Sequence, residues 1–156
     1  MKLISVDPDN KEHVDFLYEL LKARPAKANV SHKKMPTPEQ HAKFVRKHPY
    51  HDWCLIEIGG AEWDATPKQI IGSTFISQPA KPSVVGDELH VELFQGYNGY
   101  GYAEHALKLM MRKHPRTRFI ANTAPTNYGS MALFAKLGFS ECQRTFELIV
   151  PQGKAE

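Results

Sequence analysis

Gln95-Gly96-Tyr97-Asn98-Gly99-Tyr100-Gly101 separates two segments of different periodicity. Before it, Glu88-Leu89-His90-Val91-Glu92-Leu93-Phe94 alternates polar and apolar residues, the period-2 pattern of a half-buried strand. After it, Ala103, Ala106, Leu107, Met110, Met111 and His114 fall at helical spacing until Pro115 ends the run. A strand, a glycine-rich turn and a helix, in that order, leave unpaired backbone N–H groups at the positive end of a helix dipole. No side chain stands in the way, so the turn suits an anion such as a phosphate or pyrophosphate. A turn that binds nothing fits the same glycines, and the spacing alone does not separate the two readings.

The chain has 156 residues, enough for one domain with a proper core and too few for two ordinary ones. Hydrophobic residues make up 42% and charged residues 24%, as in soluble globular proteins. A formal charge of +3 suits an anionic cofactor but is too weak to argue for nucleic acid. The N-terminus has no uninterrupted apolar core, and no run approaches a membrane span, so a cytoplasmic protein is expected. Cys54 and Cys142, each in an expected strand, make no disulfide framework or metal site and read as reduced, buried hydrophobes.

Residues 2–6 read as a strand. Asp7 offers an N-cap and Pro8 a first helical position for a helix running to about Ala23. Thr37, Pro38 and Gln40 spell a capping box, opening a helix that buries His41, Phe44 and Val45 and ends by Pro49. Strands follow at Trp53–Ile58 and Ile70–Ser77, separated by a turn region carrying Trp63. Residues 78–86 read as a mobile loop. Beyond the central strand and helix come a strand at Arg118–Asn122, a helix at Asn127–Leu137 and a final strand or hairpin from Phe139 to Val150. The expected order is β-α-α-β-β-β-α-β-α-β: a single α/β domain over residues 1–150, with a mixed central sheet, helices on both faces and a polar tail at 151–156.

The last third holds a second motif, Asn127-Tyr128-Gly129-Ser130-Met131-Ala132-Leu133-Phe134-Ala135-Lys136-Leu137-Gly138-Phe139. Together with the glycine turn, the form Asn-x-x-Ser-x-x-Leu-Phe-x-Lys-Leu-Gly-Phe resembles the GNAT superfamily of acetyl-CoA-dependent N-acetyltransferases. The specific motifs cover residues 86–139. The resemblance implies that backbone amides of Gly96, Tyr97, Asn98, Gly99, Tyr100 and Gly101 hold the pyrophosphate of CoA, with Gln95 and Tyr102 flanking them. It implies that the pantetheine arm pairs with the strand through Leu93 and Phe94. Asn127 would bond that arm, with Ser130 and Phe134 on the same helix. The plain alternative for Asn127 is an N-cap with Ser130 as its partner.

Two positions depart from the family pattern. The Gln or Arg usual three residues before the middle glycine is Gly96 here, with Gln95 one residue earlier. The helix position that often carries a tyrosine as general acid is Phe134. A phenyl ring donates no proton, but a thiol of pKa ~8.5 can leave as thiolate. The acceptor amine needs the opposite service, because an amine of pKa ~10.4 is mostly protonated at neutral pH. Glu88, His90 and Glu92 share one face of the strand and are the candidate bases, Glu92 and His90 ahead of Glu88. A solvated polar row is the plain alternative. A backbone N–H at or near Leu93 would act as an oxyanion hole.

His41, His48 and His51 form no ligand pattern and read as core or surface histidines, and no metal is expected. The expected partners are acetyl-CoA and an amine-bearing small molecule, amino sugar or peptide, for a monomer or homodimer. Neither nucleic acid nor membrane is expected. The competing reading is a non-catalytic CoA-binding or regulatory module, motivated by Phe134 and the irregular glycine loop.

Overall fold

The computed structural model describes residues 1–25, 28, 34–60, 67–82 and 85–148. The elements are β1 (Lys2–Ser5), α1 (Lys11–Lys22), α2 (Pro38–Arg46), β2 (Asp52–Ile58), β3 (Gln69–Ile76), β4 (Leu89–Leu93), a 3-10 turn (Gln95–Tyr97), α3 (Tyr102–Lys113) and α4 (Tyr128–Lys136). The four strands form one sheet in the order β1-β2-β3-β4, each antiparallel to its neighbour. The expected parallel component is a single bridge, Glu88 to Ile120. At Gly72 strands β3 and β4 come close: a Cβ there would lie 2.1 Å from the Glu92 carbonyl oxygen.

Register assigns the faces. Trp53 pairs with Phe75, Leu55 with Ser73, Phe75 with His90 and Ser73 with Glu92. These side chains therefore share the face that α1 and α2 cover, where Leu17, Val45 and Leu55 form a buried cluster. The opposite face carries Cys54, Ile76 and Leu89, packed against Leu107 and Met110 of α3. Helix α4 buries no residue completely, but Leu133, Phe134 and Leu137 lean on that cluster. Lys136 of α4 also reaches Glu104 of α3 at 2.5 Å.

The capping box of α2 forms as expected, with Thr37 Oγ1 accepting from Gln40 N and the Gln40 side chain accepting from Thr37 N. Helix α1 is capped by Asn10, not Asp7. Asp7 instead accepts from Asp9 N at 2.9 Å, so Pro8 and Asp9 close a turn and the helix starts nearer its apolar stripe. Phe44 is not buried. It is 39% exposed and meets Tyr50 and Trp53 edge-on.

The last two expected strands are not formed among the described residues. Residues 118–122 contribute the one bridge at Ile120, and 139–148 carry no strand, with Phe146 and Leu148 exposed. Alternating sequence makes a strand only where a partner edge receives it, and no strand among the described residues pairs with this segment. Cys142 is accordingly exposed, whereas Cys54 is buried, and both are free thiols. Trp63 and the tail from Pro151 lie outside the described residues. No helix among those described is long and apolar enough to cross a membrane.

Candidate active site

A cavity of about 490 Å³ opens between the sheet and the pair α1–α2. Glu88, His90 and Glu92 all line it, and so do Asn127, Ser130 and Phe134 from the other motif. The sequence places these six residues on two separate elements, and the fold brings them to one space. Its volume is that of a small-molecule site.

The three members of the row are not equivalent. Glu92 is gripped by Arg24, which follows α1. Arg24 Nε donates to Oε1 at 2.7 Å and Nη2 to Oε2 at 2.5 Å, with both side chains mostly buried. This is the bidentate fork that a guanidinium makes best, and it occupies both carboxylate oxygens. His90 stacks on Phe75 at 4.8 Å, and Phe75 stacks on Tyr50 at 3.6 Å with ring planes 5° apart. Burial, and then the nearby Arg24 charge, push the His90 pKa down to about 4. The ring is therefore neutral at pH 7 and a poor proton acceptor. The ordinary histidine pKa near 6.5, on which the sequence reading of His90 as a base rested, does not apply in this environment.

Glu88 is held by its backbone: its N–H donates to Ser77 Oγ at 2.8 Å, and its carbonyl accepts from Ser77 N at 2.8 Å. Its carboxylate has no hydrogen-bond or ion-pair partner among the described residues. Burial, followed by the charge of Glu88, pushes the Tyr50 hydroxyl up to about 12, so Tyr50 stays protonated beside the cavity. Among the three candidate bases, Glu88 is the one whose carboxylate is unpartnered among the described residues.

The depressed pKa of His90 has a consequence for stability. Between about pH 6.5 and pH 4 the unfolded chain binds a proton at this ring and the folded chain does not. The contribution is complete above the unfolded pKa and is lost as pH falls toward 4. A shift of this size is worth about 3 kcal/mol. Urea midpoints measured across that range should drop for the parent and drop much less for His90→Phe, which keeps a stacking ring. Parallel slopes would refute the assignment.

The glycine turn lies beyond the cavity, and none of the residues from Leu93 to Tyr102 lines it. Gly99 and Gly101 have φ of 85° and 80°, the left-handed region that glycine adopts without strain. Gly101 is the N-cap of α3 and no side chain among the described residues caps that helix, which leaves its first N–H groups available. A Cβ at Gly96, Gly99 or Gly101 would meet nothing within 4 Å. Tyr97 is pinned by its hydroxyl to Gln69 Oε1 at 2.9 Å, Asn98 Nδ2 donates to the Gln95 carbonyl, and Phe94 meets Phe16 edge-on. Tyr100 and Tyr102 tilt together with centroids 6.0 Å apart. Glu104, the one acidic residue in the first turn of α3, is neutralised by Lys108 and Lys136, which hold its pKa near about 2. The turn thus presents an open cradle of a kind that suits an anion, with the carboxylate of its first helical turn compensated.

Strand β4 links the cradle to the cavity. Leu89 N bonds the Ile120 carbonyl on one side, and Phe94 N bonds the Ile71 carbonyl on the other. Alternation along the strand turns the N–H groups of Val91 and Leu93 to the edge away from β3. Ile120 bridges this edge only near Glu88 and Leu89, which leaves Leu93 open. Asn127 caps α4 by accepting from Ser130 N at 3.3 Å, the plain alternative noted above, while both residues still face the cavity. Phe134 packs edge-on against Phe139 at 5.2 Å.

Sequence reasoning missed Arg24 and the aromatic wall of Tyr50 and Phe75. The Arg24–Glu92 contact spans 68 residues, and no local pattern announces it.

These features converge on one family. A model described as the acetyltransferase (GNAT) domain matches residues 5–140. The chain belongs to the GNAT acetyltransferase family. As a GNAT domain it is an acyltransferase. The GNAT domain is also similar in fold to several solved structures. A domain from Methanocaldococcus jannaschii superposes with a TM-score of 0.72 at 17% identity, covering 94% of this chain and 93% of that one. The ribosomal-protein-alanine N-acetyltransferase of Brucella melitensis gives 0.66 at 16% identity, covering 92% and 86%. RimL, a ribosomal alpha-N-protein acetyltransferase solved in complex with coenzyme A, gives 0.62 at 16%, covering 86% and 76%. At these identities the likeness carries the fold alone. A search of curated protein sequences finds no match.

Proposed function

We propose that this GNAT domain transfers the acetyl group of acetyl-CoA to a primary amine seated in the cavity, by direct attack within a ternary complex. The observation that carries this reading is the Glu88 carboxylate, unpartnered among the described residues, on the wall of a cavity that β4 joins to an open cradle of backbone amides. The solved complex of RimL with coenzyme A supports the choice of cosubstrate. The cradle fits a pyrophosphate, since its amides are uncapped and its glycines leave the space clear. Acetyl-CoA supplies an acyl carbonyl activated as a thioester and a thiol leaving group.

The chain's own residues do the rest. Backbone amides from Gly96 to Gly101 hold the phosphates, and the open edge of β4 at Leu93 and Phe94 aligns the pantetheine arm, with Asn127 on its other side. The Leu93 N–H takes the developing oxyanion charge. Glu88 accepts the ammonium proton, directly or through one water, and so frees the lone pair that attacks. Arg24 keeps Glu92 engaged and out of the proton transfer. With Phe134 in place of an acid, the thiol of pKa ~8.5 departs as thiolate and is protonated by water.

A charge-reversal pair tests the cradle. CoA should raise the thermal midpoint of the parent, because a ligand selective for the folded state stabilises it. Gly96 is the glycine of choice, since a side chain there has open space and no positive φ. Gly96→Glu should abolish the CoA shift and Gly96→Lys should keep it. Equal shifts in both variants would remove the cradle from the account.

A further inference from the structure

Five rings line the cavity in one continuous run, and each keeps part of its surface open. Phe44 of α2 meets Tyr50 at 6.1 Å and Trp53 of β2 at 6.2 Å. Tyr50 meets Trp53 at 5.0 Å and stacks on Phe75 of β3, which stacks in turn on His90 of β4. Phe44 is 39% exposed and the other four rings are part-buried, whereas Cys54, Leu55 and Ile56, next along the strand from Trp53, are 0% exposed. The sheet therefore closes its core completely and leaves the rings open on the cavity side. Contiguous apolar surface of this kind marks a place that a ligand covers. The wall ends at the row on β4: His90 is its innermost ring, and alternation puts Glu88, two residues earlier, on the same face.

Charge narrows the class. Among the described residues the cavity is lined by two cations, Arg24 and Lys34, and two carboxylates, Glu88 and Glu92. The wall histidines, His41 and His90, are neutral at pH 7 because burial lowers both pKa values. Arg24 and Glu92 cancel through their bidentate pair. Glu88 remains to receive one ammonium. Lys34, which makes no ion pair among the described residues, opposes a second. A carboxylate on the carbon next to the amine would lie beside Glu88 and be repelled.

We infer that the acceptor is an arylalkyl monoamine, with one primary ammonium on a short chain, an aromatic body laid along the wall from Phe44 to His90, and no carboxylate next to the nitrogen. The inference rests on the amine-acceptor reading above and names its substrate class. Polyamines, amino sugars and free amino acids each break one of these conditions.

Calorimetric titration of the CoA-saturated protein tests this without requiring turnover. Phenethylamine meets every condition. Phenylalanine adds the carboxylate to the same ring, glucosamine exchanges the ring for a hydrated body, and spermidine adds cationic centres. Phenethylamine should bind about tenfold or more tightly than each of the others, the scale set by burying a phenyl ring or by a like charge a few ångströms away. Phe44→Ala removes one ring of the wall and should weaken phenethylamine about threefold or more while leaving spermidine nearly unchanged. Lys34→Glu should bring spermidine closer to phenethylamine by about threefold or more. Both side chains are exposed, so neither change threatens the fold. A probe that equals or beats phenethylamine, no binding of phenethylamine, an unchanged phenethylamine affinity in Phe44→Ala, or an unchanged spermidine gap in Lys34→Glu overturns the inference. A parent that binds CoA and fails these comparisons loses the inference and keeps the proposed function, which turnover of any amine decides. A parent that takes no CoA loses the cosubstrate reading, and the same titrations on the CoA-free chain then decide the acceptor class.

Discussion

Glu88→Gln should lower turnover about a hundredfold or more, the usual scale for removing a general base, while acetyl-CoA affinity stays close to parental. The amide keeps the shape and the backbone bonds to Ser77, so the loss isolates proton acceptance. Raising the pH should recover part of the rate, because a growing share of the amine then arrives already neutral. His90→Phe should leave the rate-against-pH profile unchanged near neutrality, since the parent ring has lost its proton by about pH 4. Steady-state rates for both variants with one amine check this. Near-parental turnover in Glu88→Gln, or a loss confined to His90→Phe, would move the base elsewhere.

The second large effect falls on stability. Arg24→Met strands the Glu92 carboxylate in a mostly buried site and should destabilise the fold by about 3 kcal/mol or more. Glu92→Met strands the guanidinium instead and should cost a comparable amount. The double variant replaces a desolvated pair with two apolar side chains and should recover most of the loss, because neither charge is then left without its partner. Urea denaturation of the four proteins gives the cycle. Additive losses would mean that the two residues do not act as a pair. The cycle also bears on mechanism, since it separates a Glu92 held by Arg24 for structure from a Glu88 that has no partner among the described residues.

The sequence made some of this legible because the signals were local. The capping box at Thr37–Gln40, the glycine turn with its two left-handed residues and the N-cap at Asn127 each depend on neighbours a few positions away. The shared face of Glu88, His90 and Glu92 follows from strand periodicity, and the register with Ser73 and Phe75 bears it out. The surroundings that distinguish the three members of the row were not legible. They depend on Arg24 arriving from just beyond the first helix and on the stack of Tyr50, Phe75 and His90 assembled from three separate parts of the chain. Phe44 falls on the helical stripe read as core, but its ring meets other rings at the cavity and stays part exposed, which periodicity cannot distinguish from burial. The segment at 139–148 pairs with no strand among the described residues, and pairing is a property of two segments rather than one.

The most direct measurement follows thiol release from acetyl-CoA and, by mass spectrometry, the amine itself, over a panel of ring-bearing monoamines, peptides and amino sugars. One acetylated amine is expected for each thiol released, with both lost together in Glu88→Gln and in Gly96→Glu. Thiol release without acetylated amine, or CoA binding with no turnover of any amine, would contradict it and favour a domain that binds the cosubstrate without catalysing transfer.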